Sequence, residues 1–397
     1  MIQSDWETGK DEQKIDTGLA GLRPRIGIDM HVVDDLFQGS RTHCLELFSR
    51  VIAATPQCDF VVFAGELSKL LAFSENFGLP HVSLVQMPKK GPAIRLLSQL
   101  PSIVRRFGLS LLHTQYIVPP IAFCATAVTV HDILFESHRE YFERSVIFRS
   151  RLLVPFSVRR SAAVFTVSDF SYKEICETYS ISADKVHTIP NGVDFQRFFP
   201  GSEGREIVQA LGLGGRQYFL TVGRLEPRKN YAAMLRAWAQ LRGPRPALVI
   251  VGQRHFRYRE AFNLLDTLHL ERDVTVLENV SDAQLPALYR NAKGFIYCSA
   301  AEGFGMPLLE AMASGIPVVS SANTALSEVF ADAALRVDPN SQSEIVDAIL
   351  ALSQQTGLRE SMIHRGLQRA SEFTWEKPAQ TVRSVYLRHF GLLPFGQ

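Results

Sequence analysis

Two Rossmann-like α/β domains facing each other across a cleft are what this sequence predicts. At 397 residues the chain is too long for one ordinary hydrophobic core. From Arg25 onward short apolar runs alternate with amphipathic stretches, the pattern of strands and crossover helices in an α/β domain. The alternation pauses at Pro200-Gly201-Ser202-Glu203-Gly204, the best linker signal in the chain, and restarts at Tyr218.

Composition bounds the class. The chain is 46% apolar and 21% charged, which fits a soluble globular protein. A net charge of +2 gives no overall drive towards nucleic acid, and none is expected as a partner. Cys44, Cys58, Cys124, Cys176 and Cys298 are scattered and form no Cys-x-x-Cys pair. That pattern argues for reduced thiols in the cytoplasm, against a zinc site and against a disulfide framework. No signal peptide is expected, because the first residues are polar. The longest apolar run, 116–130, is broken by Pro119-Pro120 and is too short to span a bilayer.

The first domain is expected over 23–199, behind a loose polar tail at 1–22. Arg25–Asp29 is its first strand, followed by a loop holding Gln38-Gly39-Ser40-Arg41 and a helix over 42–54. A strand at 60–64 completes a βαβ unit. Strands at 111–113 and 126–130 come next, the second ending in His131-Asp132. Ligands in such sheets bind at the carboxyl ends of strands, so His131 is a candidate site residue. Asp132 beside it is placed to fix its tautomer; the other reading is a histidine capping the next helix.

The segment 137–160 mixes Arg144, Arg149, Arg151 and Arg159 with Phe148 and Leu152. A second basic run holds Lys89-Lys90, Arg95 and Arg105-Arg106. Such stretches suit peripheral contact with anionic lipid, or helices with one core face and one wet face; the second reading is preferred. A strand at 163–168 with capping serines, one at 186–189, and Pro190-Asn191-Gly192-Val193-Asp194 close the first half.

The second domain is expected over 200–376. Tyr218–Val222 leads into Gly223-Arg224-Leu225-Glu226-Pro227-Arg228-Lys229-Asn230, then a helix over 231–241 and the strand Ala247–Val251. Arg224 and Lys229 follow a strand end. A diphosphate leaving group gathers charge as its bond breaks, and fixed cations stabilise that state more than the ground state. Surface solvation is the other reading for single charges.

The most informative stretch runs from a strand at 294–298, through a glycine turn, to a helix expected from Pro307. Gly303 and Gly305 let a backbone approach a ligand. The helix amides point into the same space with the positive end of the dipole behind them, which suits a diphosphate. Glu302 in the turn and Glu310 a turn into the helix are placed to accept hydrogen bonds from hydroxyls on either side of it. A diphosphate between two sugars is a nucleotide sugar. An ordinary crossover with a solvated turn glutamate is the other reading. No Asp-x-Asp motif occurs, so neither a metal nor a cofactor is expected.

From about Arg25 to its end the chain resembles the retaining glycosyltransferases of family 4, which have the GT-B architecture. The most specific element is Glu302-Gly-Phe-Gly-Met-Pro-Leu-Leu-Glu310, two glutamates with seven residues between them. Gly223-Arg224-Leu225, Lys229-Asn230, Val130-His131-Asp132, Pro190-Asn191-Gly192-Val193-Asp194 and Leu326-Ser327-Glu328-Val329 follow the family's motifs in order. The resemblance implies that Arg224 and Lys229 hold the donor diphosphate after the Gly223 turn, and that Glu310 binds the ribose. Glu302 and His131 would face the transferred sugar, with the backbone of Gly303, Phe304, Gly305 and Met306 touching sugar and phosphate. The C-terminal segment, 377–397, would pack back on the first domain. One departure stands in the loop after the first strand. Phe37-Gln38-Gly39-Ser40-Arg41 keeps a single glycine, Gly39, among the expected donor contacts, and has gained a cation.

The variant at 224–230 is similar to mannosyltransferases that use GDP-mannose, with UDP-sugars the next choice. The expected acceptor is a glycan or lipid-linked glycan, met in the cytoplasm or at the inner face of a membrane. A nucleotide-sugar 2-epimerase and a non-catalytic nucleotide-sugar binder are the rival readings. The glutamate spacing argues against the first, and the presence of both Glu302 and His131 against the second.

Overall fold

The computed structural model describes residues 23–34, 39–242 and 245–393. The expected tail at 1–22 and the Phe37-Gln38 part of the first loop lie outside the described residues. Two sheets form, and every strand pairing in both is parallel.

The first sheet is built from β1 (Arg25–Asp29), β2 (Asp59–Ala64), β3 (Val82–Gln86), β4 (Leu111–Gln115), β5 (Ala125–Thr129), β6 (Ala163–Thr166) and β7 (Val186–Thr188). Their order is β3-β2-β1-β4-β5-β6-β7. The second holds β8 (Tyr218–Val222), β9 (Ala247–Val251), β10 (Val274–Leu277), β11 (Gly294–Tyr297), β12 (Val318–Ser321) and β13 (Leu335–Val337), in the order β10-β9-β8-β11-β12-β13. In each sheet the strand order reverses beside the first strand, and ligand crevices form at the carboxyl ends there.

The main helices are α1 (Gly39–Ala54), α2 (Leu67–Phe73), α3 (Leu100–Phe107), α4 (Arg144–Arg160), α5 (Asp169–Tyr179), α6 (Tyr231–Gln240), α7 (Met306–Ala313), α8 (Gln342–Gln354), α9 (Thr356–Ser371) and α10 (Glu376–His389). Alternation along the strands splits each core in two. On the first sheet Ile26, Ile28, Phe60 and Val62 face α1 and α10. Val61, Phe63 and Leu112 face α3, while Val128 and Val164 face α4 and α5. On the second sheet Phe219, Leu248 and Ile250 pack on α6 and α8, and Leu220, Val249 and Phe295 pack on α7.

Helix α10 leaves the second half of the chain and completes the first. Val382 and Tyr386 share a core with Ile28 and Phe48. Tyr386 Oη lies 2.5 Å from His113 Nδ1 on β4, Arg383 Nε donates to the Ala54 carbonyl at 2.7 Å, and Arg50 pairs with Glu376 at 2.9 Å. Just before it, Trp375 leaves no room for a side chain at Gly192, where a Cβ would come within 2.6 Å of the Trp375 amide nitrogen.

Three local details differ from the sequence expectation. Helix α1 starts at Gly39, not at Thr42. Helix α7 starts at Met306, so Pro307 takes its second position and Gly305 (φ +104°) is the N-cap. Strands β3 and β13 were not foreseen; β3 is a half-buried edge strand and β13 has three residues, so neither forms an apolar run.

Candidate active site

The carboxyl ends of both sheets open onto one cavity of about 410 Å³. Gly39, His131, Gly223, Arg224, Lys229 and Glu302 all line it, as do Gly303, Phe304, Gly305, Met306 and Glu310. Every residue singled out in the sequence as a site candidate therefore meets the others here, across a gap between the two halves.

A buried charge network forms one wall. Lys229 Nζ donates to Glu302 Oε1 and to Tyr297 Oη, each at 2.6 Å. Arg228 Nη1 donates to Glu302 Oε2 at 2.7 Å and to the Ala301 carbonyl at 2.7 Å. Its other nitrogen donates to Glu226 Oε1 at 2.8 Å. Both oxygens of Glu302 are thus held by cations. Burial alone would raise its carboxyl, but Arg228 and Lys229 outweigh that and hold it at about 2. Burial pulls the Lys229 ammonium below its ordinary value, Glu302 opposing and Arg228 adding to the effect. Removing one member of such a buried set leaves an uncompensated charge, at about 3–5 kcal/mol.

Arg224 differs from its neighbours. Its side chain is 36% exposed and is held only loosely, 3.7 Å from Glu226 Oε2 and 3.4 Å from His255 Nε2. His255 Nδ1 lies 3.1 Å from the same Glu226 oxygen. Glu226 therefore gathers three basic groups at the end of β8, and Arg224 and Arg228 among them line the cavity.

His131 sits just past the end of β5, with Tyr116 on one side and His43 edge-on at 4.7 Å. Its Nε2 donates to Gln115 Oε1 at 3.1 Å. Gln115, not Asp132, therefore sets the tautomer, which corrects the sequence expectation. Asp132 instead accepts from the Leu134 amide at 3.2 Å and lies so close to Gly303 that a Cβ there would come within 2.5 Å of its carboxylate. Burial, with the His43 and His113 rings behind it, keeps the His131 imidazole well below its ordinary value and so neutral at pH 7. His43 Nδ1 donates to Asn191 Oδ1 at 2.7 Å, which ties the Pro190-Asn191-Gly192 motif to the same corner.

At the opposite end Glu310 projects from α7 and accepts from Tyr289 Oη at 2.8 Å. Burial raises its carboxyl, with the Tyr289 hydroxyl partly offsetting the effect. Contacts span the cleft nearby, among them Arg197 Nη2 donating to the Asp282 carbonyl at 3.1 Å. Arg41 at the start of α1 pairs with Asp282 at 3.1 Å, and Glu328 of the second half accepts from the Phe170 amide at the start of α5 at 3.2 Å. Among the described residues no cluster of three or more His, Cys, Asp or Glu side chains is placed to hold a metal ion.

Sequence reading passed over Arg228, Glu226, Tyr297 and Gln115. Arg228 stood inside a quoted motif, and a third basic residue within one turn of two candidate cations was the available signal. Glu226 stood in the same motif, two residues from Arg228, whereas Gln115 meets His131 and Tyr297 meets Lys229 because neighbouring strands bring them together, which spacing does not reveal.

Two parallel sheets with a cationic and acidic wall at their shared carboxyl ends have the GT-B architecture, and comparison with known proteins gives the family. Residues 204–369 match the family described as glycosyl transferases group 1, and residues 37–197 match glycosyltransferase family 4. The chain is 34% identical over 265 residues to O-antigen chain mannosyltransferase B of Escherichia coli, covering 65% of this chain and 69% of that one. It is 31% identical over 227 residues to O-antigen chain mannosyltransferase RfbU of Salmonella typhimurium, covering 57% of this chain and 60% of that one. Its fold matches sucrose-phosphate synthase from Thermosynechococcus elongatus with a TM-score of 0.75 at 20% identity, over 94% of this chain and 100% of that one. Anabaena HepE, solved with UDP and glucose, matches with a TM-score of 0.71 at 20% identity, over 92% and 100%. This chain belongs to glycosyltransferase family 4.

Proposed function

We propose that the protein moves mannose from GDP-mannose, with retention of anomeric configuration, to a hydroxyl of a lipid-linked glycan. The observation that carries this is the cavity wall in which Arg224, Lys229 and Glu302 converge opposite His131. Two of the relatives are O-antigen chain mannosyltransferases, which supports mannose as the sugar and a polysaccharide as the product.

In this reading the donor diphosphate lies between Arg224, Lys229 and the start of α7, and the ribose hydroxyls hydrogen-bond Glu310. The sugar lies between Glu302 and His131. Because Nε2 of His131 is bonded to Gln115, Nδ1 offers its lone pair to a sugar hydroxyl. Lys229 turns from Glu302 to the phosphate when donor arrives, and Arg228 keeps Glu302 ionised meanwhile. The bond from the anomeric carbon to the phosphate oxygen breaks and a bond to the acceptor oxygen forms on the same face. The acceptor proton passes to the departing diphosphate. Charge on that group is met by protein cations, so no metal is required. A chelator leaves activity intact; full loss rescued by Mg²⁺ overturns this point.

A UDP-sugar is the second reading. Gln253 and Asn279 line the cavity where the base would lie and are bonded to each other at 3.0 Å, and amide side chains can read either base. Calorimetric titration with GDP, GDP-mannose, UDP and UDP-glucose decides between them. Tighter binding of the GDP pair is expected, and tighter UDP binding overturns the donor assignment. The anomeric configuration of the product, read by NMR, tests retention. An acceptor anchored in a bilayer requires the enzyme to reach a membrane surface.

A further inference from the structure

We infer that the face of the first sheet covered by α3 and α4 docks on an anionic lipid bilayer. Most of the large apolar side chains left exposed among the described residues lie on or beside these helices: Phe148, Leu152 and Phe156 on α4, Ile94 and Leu97 just ahead of α3, and Phe123 under Arg105 of α3. Phe148 is 76% exposed and Leu152, one turn further along the same helix, 64%. Helix α4 buries only Val154, Ser157 and Val158 along its 17 residues. Phe148, Leu152 and Phe156 stand exposed on the rest of its surface, and an apolar patch of this kind marks an interaction site.

Charge identifies the occupant. Arg144, Arg149, Arg159 and Arg160 form no ion pair among the described residues, although they stand on the same helix as the exposed rings. An open groove of about 620 Å³ runs beside them, lined by Arg151, Leu152, Phe156, Arg159, Arg160 and Tyr179. Arg151 is the one cation of this set in an ion pair, 2.8 Å from Glu136. Towards α3, Arg105 stacks over the exposed Phe123 ring at 3.6 Å. Guanidinium groups interleaved with rings at one surface match phosphate headgroups above acyl chains. A nucleic acid would use the cations and leave Phe148 and Leu152 in water.

The docked face also suits the reaction, and in this respect it rests on the proposed lipid-linked acceptor. Strands β5 and β6 are parallel, so α4 between them runs back along the sheet and its Phe148 end starts at the carboxyl edge that carries His131. A bilayer held there presents an anchored acceptor at the mouth of the cleft. The opposite face is covered by α1 and α10.

Vesicle flotation tests the inference. The protein is expected to float with vesicles containing phosphatidylglycerol, to stay behind with pure phosphatidylcholine, and to be released by salt. Phe148→Ser with Leu152→Ser should weaken binding by about tenfold. Arg149→Gln, Arg159→Gln and Arg160→Gln should weaken it by about fivefold each. Leu71→Ser with Phe73→Ser, on α2 at the other face, should bind as the parent does. Donor binding by calorimetry should stay unchanged in all of them, which also shows that they fold and separates this test from that of the donor assignment. Loss of donor binding by the parent protein would sink the functional reading and leave the flotation result standing. No flotation, equal flotation with neutral lipid, retention by the face variants, or loss by the α2 variant each overturns the inference. So does a parent dimer that the face variants turn into monomers without any change in flotation.

Discussion

The two halves of the molecule handle charge in opposite ways. In the second half Glu226, Arg228, Lys229 and Glu302 are buried, fixed in place and bonded to one another within the wall of a cavity. In the first half the arginines of α4 stand in solvent among exposed rings. On the proposed reading, the buried set serves a charge that develops inside the cleft, whereas the wet arginines serve a partner met at the surface. Preorganised cations act strongly because they need no rearrangement as the bond breaks. Solvated ones act weakly and additively.

The largest expected effect tests the fixed half. Lys229→Ala should lower kcat by about 10²–10³, the usual cost of losing one preorganised group at a developing charge. Steady-state kinetics at saturating donor measure this, and a near-parental kcat would break the contrast. Glu310→Ala comes next. It should weaken nucleotide affinity by about tenfold to a hundredfold, the scale of a hydrogen bond to a charged group. Calorimetry checks it, and unchanged affinity argues against a ribose contact.

The first half does contain buried titratable groups, and these sharpen the comparison through pH. Burial, which the Asn191 bond only partly offsets, lowers His43 to about 4, and burial with His43 nearby lowers His113 to about 3, each from an ordinary value of 6.5. Protons therefore bind the unfolded chain first, and stability falls as pH drops below about 6.5. Each ring costs roughly 2 kcal/mol by pH 5. Denaturant melts at pH 7.5 and pH 5 should show that loss, and His43→Gln should remove its share. A flat profile would contradict neutral buried rings. The smallest effect is expected at the cleft edge. Asp282→Ala removes the half-exposed partner of Arg41 and should change stability by less than about 1 kcal/mol.

Much of this could be read from the chain itself, for a physical reason. The turn at Gly303 and Gly305 admits no other backbone here: Gly305 has φ +104°, and a side chain at Gly303 would strike Asp132. Those demands leave a sequence signature, as do the apolar strands β8 and β9. Partners set by the pairing of distant strands leave none. Gln115 reaches His131 because β4 and β5 are neighbours, and the adjacent Asp132 was the plausible but wrong choice. Arg228 was hidden for another reason, since an arginine in a loop is usually solvated and only the fold buries this one between Glu226 and Glu302. The basic helix α4 was legible as amphipathic, but how little of it the core takes depends on packing that its own periodicity does not determine.

Helix α10 carries a consequence for biogenesis. A ribosome delivers Ile28, Phe48 and His113 long before it delivers Val382 and Tyr386, yet these side chains share one interior. The amino-terminal lobe must therefore wait, incompletely closed, while the carboxyl-terminal lobe is synthesised, and a nascent chain stalled before residue 376 would expose the groove that α10 fills. Chaperone capture during translation should concentrate on that interval, and cleavage near Trp375 in the finished protein should loosen the lobe that lies farthest from the cut in sequence.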